Sequence, residues 1–248
     1  MNISQDAYDH YWEKGWVVIE GVYRPDEVEH IAQLAVEISN KELKGNAPSY
    51  AVDRAADGSI APRKIDRPFF KASAFQSFIL DPRLSNIIRE LIGVTPLLMT
   101  DQIFMKPPHL GSAKPYHQDN YYFKCHLADH VITAWIAMDD VDESNGCLRY
   151  IEVSHKGPVL PHEMPDPDQS YNLVPPPELI DFSKEALAIV NKGGVVFHHS
   201  KTLHTSHRNE SERSRRGYAT HSSSAHTTSE NDTIKNAYFH RDDFPVIS

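Results

Sequence analysis

Apolar positions follow two different rhythms along the chain. Up to about residue 95 they recur at helical spacing. Residues 1–14 read as a short helix, and Trp16-Val17-Val18-Ile19, between Gly15 and Gly21, as a short buried strand. Val28, Ile31, Leu34, Ala35 and Ile38 then share one helical face, with Pro25 at the first position and Asp26 and Glu27 in the first turn. Leu84, Ile87, Ile88 and Leu91 make a second such face; Asp81 is its cap, Pro82 follows, and Gly93 stops it. Beyond residue 95 the apolar runs become short and strand-like, at 97–106, 131–138, 147–153, 187–190, 195–199 and 217–222. Pro107-Pro108, Asn145-Gly146 and Gly193-Gly194 punctuate them as turns. This order predicts a mainly β protein with flanking α-helices: a sandwich or barrel of about 96–225 braced by the helices of 1–95, in one domain spanning 1–248. Residues 157–177 carry Pro158, Pro161, Pro165, Pro167, Pro175, Pro176 and Pro177 and read as a long loop of the kind that covers a site.

Composition narrows the function. A chain of 248 residues can bury a core without disulfide staples. Its 25 basic and 34 acidic residues give a formal charge of −9, with no broad basic face for nucleic acid. No apolar run approaches the roughly 18 residues of a membrane helix, and the first ten residues, MNISQDAYDH, do not resemble a signal peptide. Cys125 and Cys147 suit a reducing interior as free thiols. The end, Pro245-Val246-Ile247-Ser248, is no peroxisomal Ser-Lys-Leu, so a cytoplasmic location is expected. The expected partner is a small-molecule substrate, with neither nucleic acid nor membrane; oligomeric state is left open.

The chemistry starts at His117-Gln118-Asp119. In extended backbone, residues two apart point to one side, so His117 and Asp119 can offer a nitrogen and an oxygen to one ion. A distant histidine would complete the two-histidine, one-carboxylate set of non-haem Fe(II) oxygenases, which leaves positions open. The short pattern is weak by itself. Fifteen histidines and 34 acids in 248 residues yield about two such spacings by chance, and two occur: His117/Asp119 and His240/Asp242. Strand-like flanks and downstream histidines favour the first.

Taken jointly, several segments resemble the phytanoyl-CoA dioxygenase family of Fe(II)- and 2-oxoglutarate-dependent oxygenases. They are DQIFMKPP at 101–108, YHQDN at 116–120, TAWIAMDD at 133–140, Asn145-Gly146-Cys147-Leu148, Ser154-His155, and His204-x-Ser206-x-x-Asn209 with Arg215. The resemblance runs from about Trp16 to Ser222. It implies a double-stranded β-helix (jelly-roll, cupin-like) core and assigns His117, Asp119 and His204 as iron ligands. Arg215 would hold the distal carboxylate of 2-oxoglutarate, since a guanidinium makes two parallel hydrogen bonds to a carboxylate. Ser206 and Trp135 would flank the cosubstrate, with Gln102 and Gln118 near it. The implied reaction consumes 2-oxoglutarate and O2, releases succinate and CO2, and by default hydroxylates substrate; desaturation, epimerisation and cyclisation are alternatives. Related halogenases lack the carboxylate, so Asp119 points away from halogenation.

Plainer readings compete at several positions. His198, His199 and His207 rival His204. His198 and His199 end a strand, as core or surface residues unless one faces the site. Trp135 and Gln102 could be ordinary strand residues, and the acidic run Asp139, Asp140, Asp142 and Glu143 a solvated loop. Arg213 and Arg216 read as exposed neighbours of Arg215. Lys64 and Arg67, within a basic stretch at 60–71, could meet an anionic substrate. Lys106, Tyr116, Asn120, Tyr121 and Tyr122 could shape the substrate pocket. A jelly roll that binds a ligand without turnover, or a zinc hydrolase, is the rival class.

Overall fold

The computed structural model describes residues 3–43, 51–54, 58, 60–164 and 172–234. His240/Asp242, Pro165, Pro167 and the segment 245–248 lie outside the described residues. In chain order the elements are α1 (Gln5–Lys14), β1 (Trp16–Ile19), α2 (Pro25–Leu43), β2 (Val52–Arg54), β3 (Ile60–Pro62), β4 (Lys64–Asp66), α3 (Ser73–Ile79) and α4 (Pro82–Ile92). There follow β5 (Leu97–Lys106), β6 (Lys114–His117), α5 (Asp119–Phe123), β7 (Ile132–Ala137), β8 (Leu148–Ile151), β9 (Glu185–Ala188), β10 (Val195–His199), β11 (His204–Ser206) and β12 (Arg215–Ser223).

The helix signals act as the sequence predicts. Asp81 Oδ1 accepts from the backbone N–H of Arg83 at 2.8 Å, and Gly93 closes α4 in the left-handed region at φ 72°. Ser4 and Gly15 do the same for α1. Elements of three to seven residues escaped the pattern reading: β2, β3, β4, α3, β6, α5 and β11. Phe75, Phe78 and Ile79 are buried at helical spacing, but seven residues give too few turns to separate that spacing from chance.

Two antiparallel sheets face each other as a jelly roll. The larger has the order β1-β10-β7-β12-β5-β4 and the smaller β6-β11-β8-β9; β2 and β3 pair separately. Strand alternation divides the larger sheet's side chains cleanly. Ile103, Ile132, Ala134, Ile136, Val195, Phe197 and Tyr218 point outward and pack under the helices with Val28, Ile31, Phe75, Leu84, Ile88 and Leu91. The positions between them point inward toward the smaller sheet. These are Gln102, Phe104 and Lys106 on β5, Thr133 and Trp135 on β7, His198 on β10, and Arg215, Ala219 and His221 on β12, all of which border one cavity. The helices thus brace one face and leave the other for chemistry. Among the described residues, no helix is long and apolar enough to cross a membrane.

Gly217 shows how tightly that inner face is built. It pairs with Phe104 on one side and Ala137 on the other, and a Cβ here would lie 1.8 Å from Cζ2 of Trp135. The indole occupies the space a side chain would need. Gly217→Ala is therefore expected to lower the free energy of unfolding by about 1–3 kcal/mol, measured by urea denaturation. Unchanged stability would show that the ring moves aside freely.

Candidate metal centre

His117 closes β6, and His204 opens β11 as its register partner. Their rings lie 4.2 Å apart between centroids. Asp119 begins α5 two residues later, and its Oδ1 is 3.8 Å from Nε2 of each histidine. All three residues are buried, and one donor atom from each falls within 4.8 Å of the others.

The hydrogen positions follow from the partners. Nδ1 of His117 is 2.9 Å from the carbonyl of Pro115, and Nδ1 of His204 is 2.9 Å from that of Thr202. A carbonyl only accepts, so each Nδ1 carries the hydrogen and each Nε2 presents a lone pair. Burial pushes both imidazoles below their ordinary pKa, which keeps them in the ligating form. Burial works against the charge on Asp119, yet the surrounding histidines and a hydrogen bond from His198 hold its carboxyl well below the usual range. Two lone pairs and a carboxylate oxygen therefore converge with no hydrogen between them. Such acceptors repel one another, and a cation at their centre removes the conflict. The donor set suits a divalent iron with open positions.

The other carboxylate oxygen faces the larger sheet. Oδ2 of Asp119 accepts from Thr133 Oγ1 at 2.6 Å and lies 3.1 Å from Nε2 of His198. Thr133 Oγ1 is 2.8 Å from Nδ1 of His221, and Nδ1 of His198 is 2.8 Å from the Tyr150 hydroxyl. Burial brings both His198 and His221 down to about 4.

The same cavity holds a second polar feature. Arg215 is 2% exposed, and among the described residues its Nε and Nη2 have no hydrogen-bond partner. The guanidinium sits 4.6 Å over the Trp135 ring, and burial draws its pKa down to about 10, still charged at neutral pH. A buried, unanswered guanidinium is costly unless an anion meets it. The cavity measures about 470 Å³ and brings together His117, Asp119, His204, Ser206, Arg215, Trp135 and Gln102. That volume lies within the roughly 300–1,000 Å³ of small-molecule sites. Phe104, Tyr122, Phe123 and Leu148 add apolar wall.

Other expected residues are placed differently. Gln118 is buried but faces away from the cavity, donating to the carbonyls of Pro158 and Lys201 and accepting from the N–H of Leu160. It ties the β6–α5 junction to the loop. Tyr116 alternates to the outer side of β6 and meets Phe182 and Glu185. Asn120 closes the turn to Cys125, and Tyr121 stacks on His162 at 4.0 Å. Helical spacing instead turns Tyr122 and Phe123, three and four residues past Asp119, toward the cavity. Lys106 borders the cavity but spends its amine on the carbonyls of Ser206 and His207. Lys64 also borders it and pairs with Asp66 at 2.7 Å, whereas Arg67 is exposed and lies away from it. Of the basic neighbours, Arg213 is exposed and pairs with Asp142, while Arg216 is half-buried on Asp139. The acidic run is thus partly paired rather than simply solvated. His207 is exposed, and His199 bonds Asp129 at 3.0 Å, so neither competes with His204.

Sequence reasoning missed Thr133 and His221, and left His198 as core or surface when it faces the site. An even offset was the available signal for His221, which stands six residues from Arg215 on one strand.

Comparisons with known proteins show likenesses of sequence and fold. Residues 11–217 match the model of the phytanoyl-CoA dioxygenase (PhyH) family. The peroxisomal phytanoyl-CoA dioxygenase of Rattus norvegicus is 27% identical over 232 residues, covering 88% of this chain and 68% of its own. Among solved structures, the non-heme alpha-ketoglutarate-dependent carbocyclase SnoK from nogalamycin biosynthesis superposes with a TM-score of 0.74 at 25% identity, covering 93% of this chain and 87% of that one. The epimerase SnoN, solved with Fe3+, alpha-ketoglutarate and nogalamycin RO, has a TM-score of 0.70 at 19% identity over 91% and 85% of the two chains, a likeness of fold.

The unanswered guanidinium yields a test that needs no ligand. Arg215→Met should raise the unfolding free energy of the ligand-free protein by about 1–3 kcal/mol, after allowance for the lost contact with Trp135. Denaturant titration measures it; a loss of stability would mean that the guanidinium already has a partner in the protein.

Proposed function

Because the chain belongs to the phytanoyl-CoA dioxygenase family and is a 2-oxoglutarate-dependent non-haem iron dioxygenase, we propose that it hydroxylates a C–H bond of a small metabolite, with release of succinate and CO2. His117, Asp119 and His204 would hold Fe(II), and Arg215, helped by Ser206, the distal carboxylate of 2-oxoglutarate. When bound, iron and keto acid supply the oxidation, with O2 as the second cosubstrate. The observation that carries the reading is the pairing, in one cavity, of three converging acceptor atoms with a buried guanidinium whose Nε and Nη2 have no hydrogen-bond partner among the described residues.

The chain's own part is positioning and exclusion of water. Arg215 fixes the far end of a diacid by charge and by two donors, in surroundings of low dielectric where such bonds are strong. The Trp135 ring lies against the guanidinium, 4.6 Å from its carbon. Phe104, Tyr122, Phe123 and Leu148 present ring and aliphatic surface to the substrate, which keeps bulk water from the reacting C–H. Lys64 remains a candidate contact for a substrate anion at the cavity edge. A cytoplasmic location belongs to the same proposal, supported by the free, buried thiols of Cys125 and Cys147.

Ring closure or epimerisation on this scaffold is the second reading, favoured by the likeness to SnoK and SnoN. Product mass separates the outcomes: hydroxylation adds one oxygen, epimerisation changes nothing, and oxidative cyclisation removes two hydrogens.

Anaerobic addition of Fe(II) and then 2-oxoglutarate should produce a weak visible charge-transfer band. Arg215→Met should raise the 2-oxoglutarate concentration needed for that band by about 10–100-fold, and Asp119→Ala should reduce succinate release to background. No band in the parent protein, or full turnover in Asp119→Ala, would overturn the reading.

A further inference from the structure

Asp119 uses its two oxygens for different purposes. Oδ1 faces Nε2 of His117 and His204, while Oδ2 takes hydrogen bonds from the larger sheet. The donors come from adjacent strands: His198 on β10 pairs with Thr133 on β7, and Thr133 with His221 on β12. A third imidazole therefore stands beside the centre, its ring 4.4 Å from that of His204 between centroids.

We propose that Tyr150 and His198 act as positioning residues for iron, a relay that points Oδ1 of Asp119 at the ion and keeps Oδ2 and the His198 ring off it. The proposal deepens the iron reading above and rests on it. An ionised carboxylate only accepts, so Nε2 of His198 carries the hydrogen toward Oδ2. The Tyr150 hydroxyl, 2.8 Å from Nδ1, then donates to the remaining lone pair of the neutral ring. Both ring nitrogens are engaged, so this imidazole has no lone pair for the metal. Tyr150 is itself held: it stacks on Trp16 at 5.1 Å and 12°, and it is the β8 register partner of His204. The strand that carries the relay's hydroxyl is thus the strand that sets the height of a ligating histidine.

Keeping Oδ2 occupied also has a coordination consequence. Three one-atom ligands leave three of six positions open on an octahedral ion, enough for a chelating keto acid and O2. A second carboxylate oxygen on the metal would take one of them. Thr133 blocks the same oxygen from the other side and is backed by His221.

The test is Fe(II) affinity, measured anaerobically by competition with a chromophoric chelator, without cosubstrate. His198→Phe should raise the Kd about 10–100-fold, and His198→Gln, which restores an N–H donor, should recover most of the loss. Tyr150→Phe keeps the stack on Trp16 and removes only the hydroxyl; it should raise the Kd about three- to tenfold in the parent and not at all in the His198→Phe background, because it acts through that ring. Thermal melting of the metal-free variants reads the structural effect separately. Parent-like Fe(II) affinity in His198→Phe, or an equal effect of Tyr150→Phe in both backgrounds, overturns the proposal. If His198→Phe does not fold, Tyr150→Phe and His198→Gln carry the test: parent-like affinity in Tyr150→Phe overturns it, and weakened affinity there with near-parent affinity in His198→Gln supports it. A parent protein that binds no Fe(II) refutes the iron reading itself, a different result.

Discussion

Everything at the centre of this molecule turns on one buried carboxylate that two sheets share. Asp119 stands between a row of side chains on the smaller sheet, His117–His204–Tyr150, and a row on the larger sheet, His198–Thr133–His221. The larger sheet satisfies one of its oxygens with hydrogen bonds. The smaller sheet sets two nitrogen lone pairs opposite the other. Burying a charge is costly unless it is hydrogen-bonded or paired, and here only half of it is answered by the protein. The unanswered half, with two lone pairs facing it, is a built-in demand for a cation.

The same logic recurs with opposite sign at Arg215. Its guanidinium is buried without hydrogen bonds at Nε and Nη2, beside an indole that can stabilise a cation through its face but cannot neutralise it. The cavity therefore carries two unmet electrostatic demands, one for a cation and one for an anion. A chelating diacid on a metal ion answers both at once, because it is an anion at its far end and a ligand at its near end. The polar groups of this site are arranged for a pair of guests rather than for the empty protein.

Much of this was legible in the sequence, and what was missed has physical causes. Long elements with full periodicity, such as α4 and β5, show in the apolar pattern because many positions repeat one instruction. The proposed triad and Arg215 were assigned through a resemblance, since His117 and Asp119 are separated by a spacing that chance produces easily. Tyr116, Asn120 and Tyr121 were drawn in by nearness to the motif along the chain, and Gln118 by the resemblance. Alternation on β6, and the first turn of α5, carry them away from the cavity, and bring in Tyr122 and Phe123 instead. His198 and Thr133 were hidden for another reason. Their role depends on which strands lie side by side, and β10, β7 and β12 are neighbours in space but scattered in sequence. Arg67 was misjudged because net charge in a segment does not show which side chain faces inward: Lys64 sits on β4 toward the cavity, and Arg67 lies just past its end.

The division of labour between elements bears on how such a site can change its substrate. The carboxylate's partners come from the middle strands of the larger sheet, whose outer face is locked under the helices. A shift of β7 or β10 to suit a new substrate would disturb that packing, because close-packed interiors transmit strain. The cavity's other walls come from the sheet edge at β4, from α5 and from the outer end of β5. β4 and α5 are short, and the hydrogen bonds to Oδ2 of Asp119 come from Thr133 and His198 rather than from Phe104, Tyr122 or Phe123. The residues proposed to face the substrate are thus distinct from those proposed to orient Asp119.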